Sequence, residues 1–138
     1  MKQLLFISIF LSFRMLAQEI VVVGDKNFPK ESLSKEDIRA IFLDKKRFIG
    51  EEKLLVMNHT YNDPLRLCFE EVILEKSKHS LERYWRKAYY NGKRPPKVVS
   101  STAMLLSYFA NVHPTIGYMD ANESAIKDLK VLYTEECP

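Results

Sequence analysis

The chain has 138 residues, 46% of them hydrophobic and 28% charged, which is typical of one globular domain large enough to bury a core. Its formal net charge is +3, but two of its 21 basic residues, Lys2 and Arg14, lie in a segment that we expect to be removed. The remaining 19 basic residues face 18 acidic ones. So nearly neutral a chain has no electrostatic basis for binding nucleic acid or a membrane surface.

The first 17 residues have the features of a secretory signal peptide. Lys2 supplies a positive start, residues 4–13 form an apolar run, and Leu16-Ala17-Gln18 offers a cleavage site. The run is too short for a permanent membrane helix. We therefore expect a signal peptide over residues 1–17 and a periplasmic domain over residues 18–138.

Residues 19–23 form a β-branched run that predicts a buried, central strand. The loop after it begins with Gly24 and Asp25, which are candidate ligand contacts because open α/β sheets bind ligands at strand-end loops. A solvated turn is the favoured explanation of Asp25. Ser34 and Asp37 have the spacing of a helix cap, so the first helix is expected to begin there.

A second strand is predicted over residues 54–57, followed by a polar loop over residues 58–62. His59 and Thr60 in that loop are candidate ligand contacts. Asp63 and Pro64 predict the start of the second helix. Arg66 lies off the apolar face of that helix, where it would either meet an anion or face solvent.

The third helix is predicted to begin at Ser80 and to end at Gly92. Its aromatic residues follow helical spacing, which favours a core role over a stacking platform for bases. A proline-containing linker over residues 93–96 then leads to a short strand over residues 97–99.

Three hydroxyl residues, Ser100, Ser101 and Thr102, open the fourth helix. Free N–H groups and the helix dipole favour an oxyanion at such a place, although serine is also an ordinary helix cap. Both interpretations remain open, and all three residues are candidate ligand contacts.

The stretch over residues 113–120 joins that helix to a strand containing Gly117 and Tyr118. Glycine in a strand permits close approach of a ligand or of another element. The strand and its loop would then form one wall of a ligand cleft, with Tyr118 as a contact. A tightly packed joint between helix and strand is the favoured interpretation. A last strand is predicted over residues 129–133.

Two cysteines, Cys68 and Cys137, lie far apart in the chain. Export would permit a disulfide, but Cys68 falls on the apolar face of a predicted helix, so free thiols are favoured. No metal-binding spacing of cysteines and histidines is present, and no cofactor is expected. His59, His79 and His113 are scattered, so an enzyme is the least favoured class.

The order of predicted elements indicates an α/β fold in which a small mixed sheet is flanked by about four helices. Five elements along this order resemble the substrate-binding proteins of phosphate ABC transporters. They are Ile41-Phe42-Leu43-Asp44-Lys45, Asp63-Pro64-Leu65-Arg66, Tyr84-Trp85, Gly92 with Pro95-Pro96, and Pro114-Thr115-Ile116-Gly117-Tyr118. The resemblance runs from Glu19 to about Tyr133.

The resemblance implies a lobe similar to type II periplasmic binding proteins, in a short, single-domain form. It implies binding of phosphate or a similar small oxyanion without catalysis, with ABC transporter membrane components or another periplasmic protein as partner. The family's arginine and Ser-Gly-Thr run are absent from residues 59–65, which should weaken phosphate binding. The alternative is a periplasmic interaction module that kept the fold and lost phosphate binding.

Overall fold

The computed structural model describes residues 18–138, and the predicted signal peptide lies outside them. The helices are α1 (Lys35–Phe42), α2 (Pro64–Val72), α3 (Lys78–Tyr90) and α4 (Thr102–Asn111), with a 3-10 helix at Ser124–Asp128. The strands are β1 (Glu19–Gly24), β2 (Phe48–Ile49), β3 (Glu52–Lys53), β4 (Leu55–Asn58), β5 (Lys97–Val98), β6 (Thr115–Asp120) and β7 (Lys130–Glu136). Within the described range, none of the helices has the length and apolar character needed to cross a bilayer.

Five strands form one mixed sheet in the order β5-β4-β6-β1-β7. Strand β4 is parallel to both β5 and β6, whereas β1 is antiparallel to both of its neighbours, β6 and β7. Strands β2 and β3 form a separate hairpin. The predicted α/β class, the mixed sheet and the four helices are confirmed, although the middle strand is β6 and β1 lies next to it.

Both faces of this sheet are covered, which explains the continuous β-branched run in β1. Alternate residues of β1 point to opposite faces. Ile20 and Val22 belong to a core with residues of α1, α2 and α3, and Val21 and Val23 belong to a second core with residues of α4. The sheet is therefore the middle layer between two apolar cores.

Helix caps occur where the chain offers a side-chain oxygen to the first free N–H groups. Ser34 accepts a hydrogen bond from Asp37 N at 3.1 Å, and Asp63 accepts one from Leu65 N at 2.9 Å, as predicted. The predicted start of α3 is wrong by one turn. Ser77 is the cap, since its hydroxyl accepts from Ser80 N at 3.1 Å, and Ser80 lies inside the helix.

The two cysteines form a disulfide, so the favoured interpretation of free thiols was wrong. Cys68 lies in α2 and Cys137 just after β7, with their Cα atoms 5.7 Å apart. The backbone N–H of Cys137 donates to Gln18 O at 2.6 Å, which continues the pairing of β7 with β1. The end of the chain is thereby fixed against α2.

Gly117 shows that the favoured interpretation of residues 113–120, a tightly packed joint, is correct. A Cβ atom at this position would lie 3.3 Å from Leu105 Cδ1 and from Phe109 Cζ, both in α4. The close approach is therefore made by a helix of the same chain. Tyr118, on the other face, is fully buried and stacks on Phe69 at 4.0 Å between ring centroids.

Candidate functional site

The sheet topology brings the carboxyl ends of three parallel strands, β4, β5 and β6, to one edge. The chain leaves β4 into α2 and leaves β5 into α4, so both helices begin at this edge. In open α/β sheets such an edge is where ligands bind. It holds most of the candidate residues that the sequence indicated.

A small cavity of about 280 Å³, which we call the edge cavity, lies between the starts of α2 and α4. Its polar lining residues lie just before β1, in the loop after β4, at the end of β6 and in the loop after it, and in the first turn of α4. They are Gln18, His59, Asp63, Thr102, Asp120 and Glu123. Two helix N-termini therefore border one space, and their dipoles favour negative charge there.

The side chains of the edge cavity have the opposite effect, because three of them are carboxylates. Asp63 uses Oδ1 to cap α2, while its Oδ2 lies 4.0 Å from Nδ1 of His59. Asp120 accepts from Asn122 N and from Gln18, both at 2.9 Å, and these bonds lower the pKa of its carboxyl. The first residue of α2, Pro64, has no N–H, and the N–H of Leu65 already donates to Asp63. The cavity thus combines carboxylate oxygens with free N–H groups that come mainly from the start of α4.

The hydroxyl residues at the start of α4 differ in what they do. Ser101 is the cap of the helix and accepts from Met104 N at 3.1 Å. Ser100 Oγ lies 3.8 Å from Met104 Sδ on the exposed surface, whereas Thr102 borders the edge cavity. Thr60 is exposed in the loop before α2.

Gly24 and Asp25 lie at the opposite edge, because β1 runs antiparallel to β6 and ends where β6 begins. Asp25 is buried and accepts from Thr115 N at 2.9 Å and from Nδ1 of His113 at 2.6 Å. A Cβ on Gly24 would lie 2.5 Å from the ring of Phe28. The structure therefore does not bring these two residues together with His59, Thr60 and the start of α4.

Arg66 faces a second, larger space, which we call the aromatic groove. The groove measures about 710 Å³ and lies between α2, α3, the edge strand β5 and its neighbour β4. Nη1 of Arg66 donates to His59 O at 2.9 Å, and Nε lies 3.4 Å from Glu70 Oε2. The candidate Arg66 thus lies apart from Thr102.

Tyr118 lines neither of these two spaces but supports the loop after β4. Its hydroxyl donates to Asn58 Oδ1, and its backbone oxygen accepts from Nε2 of His59 at 2.7 Å. Burial raises the pKa of the Tyr118 hydroxyl far above its usual range, so it stays protonated as a donor. Tyr118 therefore holds Asn58 and His59 in position.

Sequence reasoning missed three groups of the aromatic groove, namely Asn58, Glu70 and Trp85. Asn58 ends a strand, and Glu70 follows the core residue Phe69 directly, so it is a charged residue next to the apolar face of α2. The position of Glu70 next to this apolar face was the signal from which the sequence could have identified it as a groove residue. Trp85 had been assigned to the core, against which it packs while it also lines the groove.

The mixed sheet with helices on both faces is that of a type II periplasmic-binding-protein-like lobe. The fold is similar to a phosphate ABC transporter substrate-binding protein from Clostridium perfringens, solved with bound phosphate, at a TM-score of 0.65 and 15% identity. It is also similar to an ABC-type phosphate transport receptor from Vibrio cholerae, at a TM-score of 0.65 and 15% identity. A third similar structure is PstS from Borrelia burgdorferi, at a TM-score of 0.62 and 14% identity.

The matches cover 84%, 83% and 84% of this chain but only 45%, 45% and 47% of the three proteins, in the same order. The chain thus spans less than half the length of the proteins that it resembles. No protein-family model and no curated protein matches the sequence. The predicted resemblance to phosphate-binding proteins is therefore confirmed at the level of the fold.

Proposed function

We propose that this protein is an exported solute-binding protein, similar to the phosphate-binding component of an ABC transporter, that binds a small oxyanion without catalysis. The observation that carries the proposal is the edge cavity, where the N-termini of α2 and α4 meet. Free N–H groups at helix N-termini bind anions. The structural neighbours with this fold are named as phosphate-binding or phosphate-transport proteins, which supports the same ligand class.

Phosphate fits the edge cavity better than sulfate does. Phosphate retains a proton near neutral pH, so one of its oxygens donates a hydrogen bond, whereas sulfate has only acceptors. An ionised carboxylate such as Asp63 accepts but does not donate. With Asp63 Oδ2 and Glu123 beside the helix N-termini, a protonated oxyanion is matched and an unprotonated one is repelled.

Export is supported by two independent features. Residues 1–17 have the order of charge, apolar run and small residues that typifies a signal peptide. The Cys68–Cys137 disulfide is stable in an oxidising compartment such as the periplasm. Expression of the whole chain should therefore yield a periplasmic protein whose N-terminus, read by mass spectrometry, lies at or near Gln18. A product that retains residues 1–17 would contradict this.

The ligand is tested by calorimetric titration of the purified protein with phosphate and with sulfate. We expect saturable phosphate binding that is weakened by Thr102→Val, since Thr102 borders the edge cavity. Thr134→Val makes the same chemical change at an exposed position of β7 that does not line the cavity, and it should leave binding unchanged. Equal effects of the two variants, or no binding at millimolar phosphate, would refute the proposal.

A second candidate is a periplasmic interaction module, and the lining of the edge cavity favours it. Arg66 faces the aromatic groove, and Asp63 Oδ1 occupies the N–H of Leu65 that an oxyanion would use. This module requires a defined partner captured from intact periplasm by the wild-type protein. It also requires that phosphate has no effect on the purified protein.

A further inference from the structure

The aromatic groove has an apolar inner wall built by three elements. Phe42 at the end of α1, Leu74 after α2, and Leu81 with Trp85 in α3 form this wall. Phe42, Leu74 and Leu81 are buried, and Trp85 is partly buried against the core. A volume of about 710 Å³ lies within the range of small-molecule sites, and such an apolar wall suits the body of an organic ligand.

Asn58 brings a hydrogen-bond donor to the groove. The side chain is only 7% exposed, and its oxygen accepts from His59 N at 2.9 Å and from the Tyr118 hydroxyl. Because a backbone N–H can only donate, these bonds fix which atom of the amide is oxygen. The amide nitrogen has no hydrogen-bond partner among residues 18–138, and Asn58 lines the groove.

Glu70 and Arg66 bring one acceptor and one donor to the same place. Glu70 is only 6% exposed, and its one side-chain hydrogen bond within the described chain is the one that Oε2 accepts from Arg66 Nε at 3.4 Å. Arg66 Nη1 donates to His59 O. Arg66 Nη2 and Glu70 Oε1 therefore have no hydrogen-bond partner in residues 18–138. A partly buried charge pair with one long contact is incompletely satisfied.

These open atoms belong to residues that line the groove. Among the described residues, every fully inaccessible side-chain nitrogen or oxygen has a hydrogen-bond partner. The unpartnered atoms of Asn58, Arg66 and Glu70 therefore retain accessible surface, and all three residues line the groove. Two donors and one anionic acceptor thus lie beside an apolar wall.

We propose that the aromatic groove binds a free α-amino acid with a large apolar side chain. The carboxylate accepts from Arg66 Nη2 and Asn58 Nδ2, the ammonium donates to Glu70 Oε1, and the side chain packs against Trp85, Leu81 and Leu74. A purely apolar ligand would leave Glu70 incompletely paired, and a simple anion would face its carboxylate. A zwitterion matches charges of both signs.

This site is separate from the edge cavity, with which it shares no lining residue. The inference therefore goes beyond the proposed function and does not depend on phosphate binding. Phosphate titration should leave the groove unoccupied, and an amino acid should leave the edge cavity unoccupied.

Trp85 gives a direct readout, because it is the single tryptophan of the sequence and lines the groove. The purified protein is titrated with L-phenylalanine while tryptophan fluorescence is recorded. We expect a saturable change. Phenylalaninamide lacks the carboxylate, and N-acetyl-L-phenylalanine lacks the ammonium. Each should bind about 10- to 100-fold more weakly, the usual effect of losing one charged hydrogen bond.

Glu70→Gln should weaken L-phenylalanine binding by a similar factor while leaving the calorimetric response to phosphate unchanged. Glu71→Gln is the matched control, since the neighbouring residue is exposed on the same helix and does not line the groove. The two analogues test the wild-type protein, so the proposal does not depend on the folding of a variant. Equal affinity for all three compounds, or no saturable change, would overturn it.

Discussion

Removal of the disulfide should cost this protein a large share of its stability. Cys68 and Cys137 are separated by 69 residues, so their bond closes a long loop. In the chain-entropy model, a loop of this length restricts the unfolded chain by about 4 kcal/mol. A domain of ordinary stability unfolds at a cost of about 5–15 kcal/mol. The double variant Cys68→Ala/Cys137→Ala should therefore lose about 3–4 kcal/mol.

The loss is measured by urea unfolding of the oxidised wild type and of the double alanine variant. The reduced wild type should behave like the variant, and reductant should have no effect on the variant itself. Because both cysteines are buried, alanine avoids the cost of placing a hydroxyl there. A difference below about 1 kcal/mol between oxidised wild type and variant would refute the loop-closure argument.

Three further predictions concern the packing, the pH dependence and the selectivity of the protein. Gly117→Val should destabilise it by about 1–3 kcal/mol in urea unfolding, because the added methyl groups would press on Phe109. The hydrogen bond to Asp25 raises the pKa of His113 above its ordinary value of 6.5, so protonated His113 stabilises the fold. This stabilisation should be complete below pH 6.5 and lost as pH rises through the raised folded pKa; a parallel pH profile for His113→Gln would contradict it. Asp63→Asn keeps a helix-capping oxygen but adds a donor, so it should reduce the preference for phosphate over sulfate in calorimetry.

Features that depend on neighbouring residues were predictable from the sequence. Ser34 and Asp63 cap their helices because a side-chain oxygen needs only the N–H groups two or three residues ahead. The start of α3 was misplaced because Lys78 and His79 are polar and exposed, so the apolar spacing begins only at Leu81. Ser77 and Ser80 are then equally good caps by sequence.

Features that depend on distant residues were not predictable in the same way. Strand direction is one of them, since residues 19–23 indicate a strand but not that it runs antiparallel to β6. That direction separates Asp25 from His59. The disulfide is another, because Cys68 meets Cys137 only when β7 pairs with β1 beside α2.

The candidate ligand contacts stay a prediction, although the loop after β4 and the start of α4 do border one cavity. What could not be foreseen is that the first two turns of α2 point to two spaces, with Asp63 at the edge cavity and Arg66 and Glu70 at the aromatic groove. The hydrogen bonds of Arg66 to His59 O and Glu70 hold its side chain at the groove, and these contacts form only in the folded chain.

The central claim, a phosphate-binding edge cavity, is tested most directly by thermal unfolding in phosphate and in sulfate at matched ionic strength. A ligand that binds only the native state raises the melting temperature, with a gain of about 2.7 kcal/mol at a hundred times its Kd. We expect a saturable rise in melting temperature with phosphate and a smaller rise with sulfate. Equal shifts in the two salts, or none at millimolar phosphate, would contradict it.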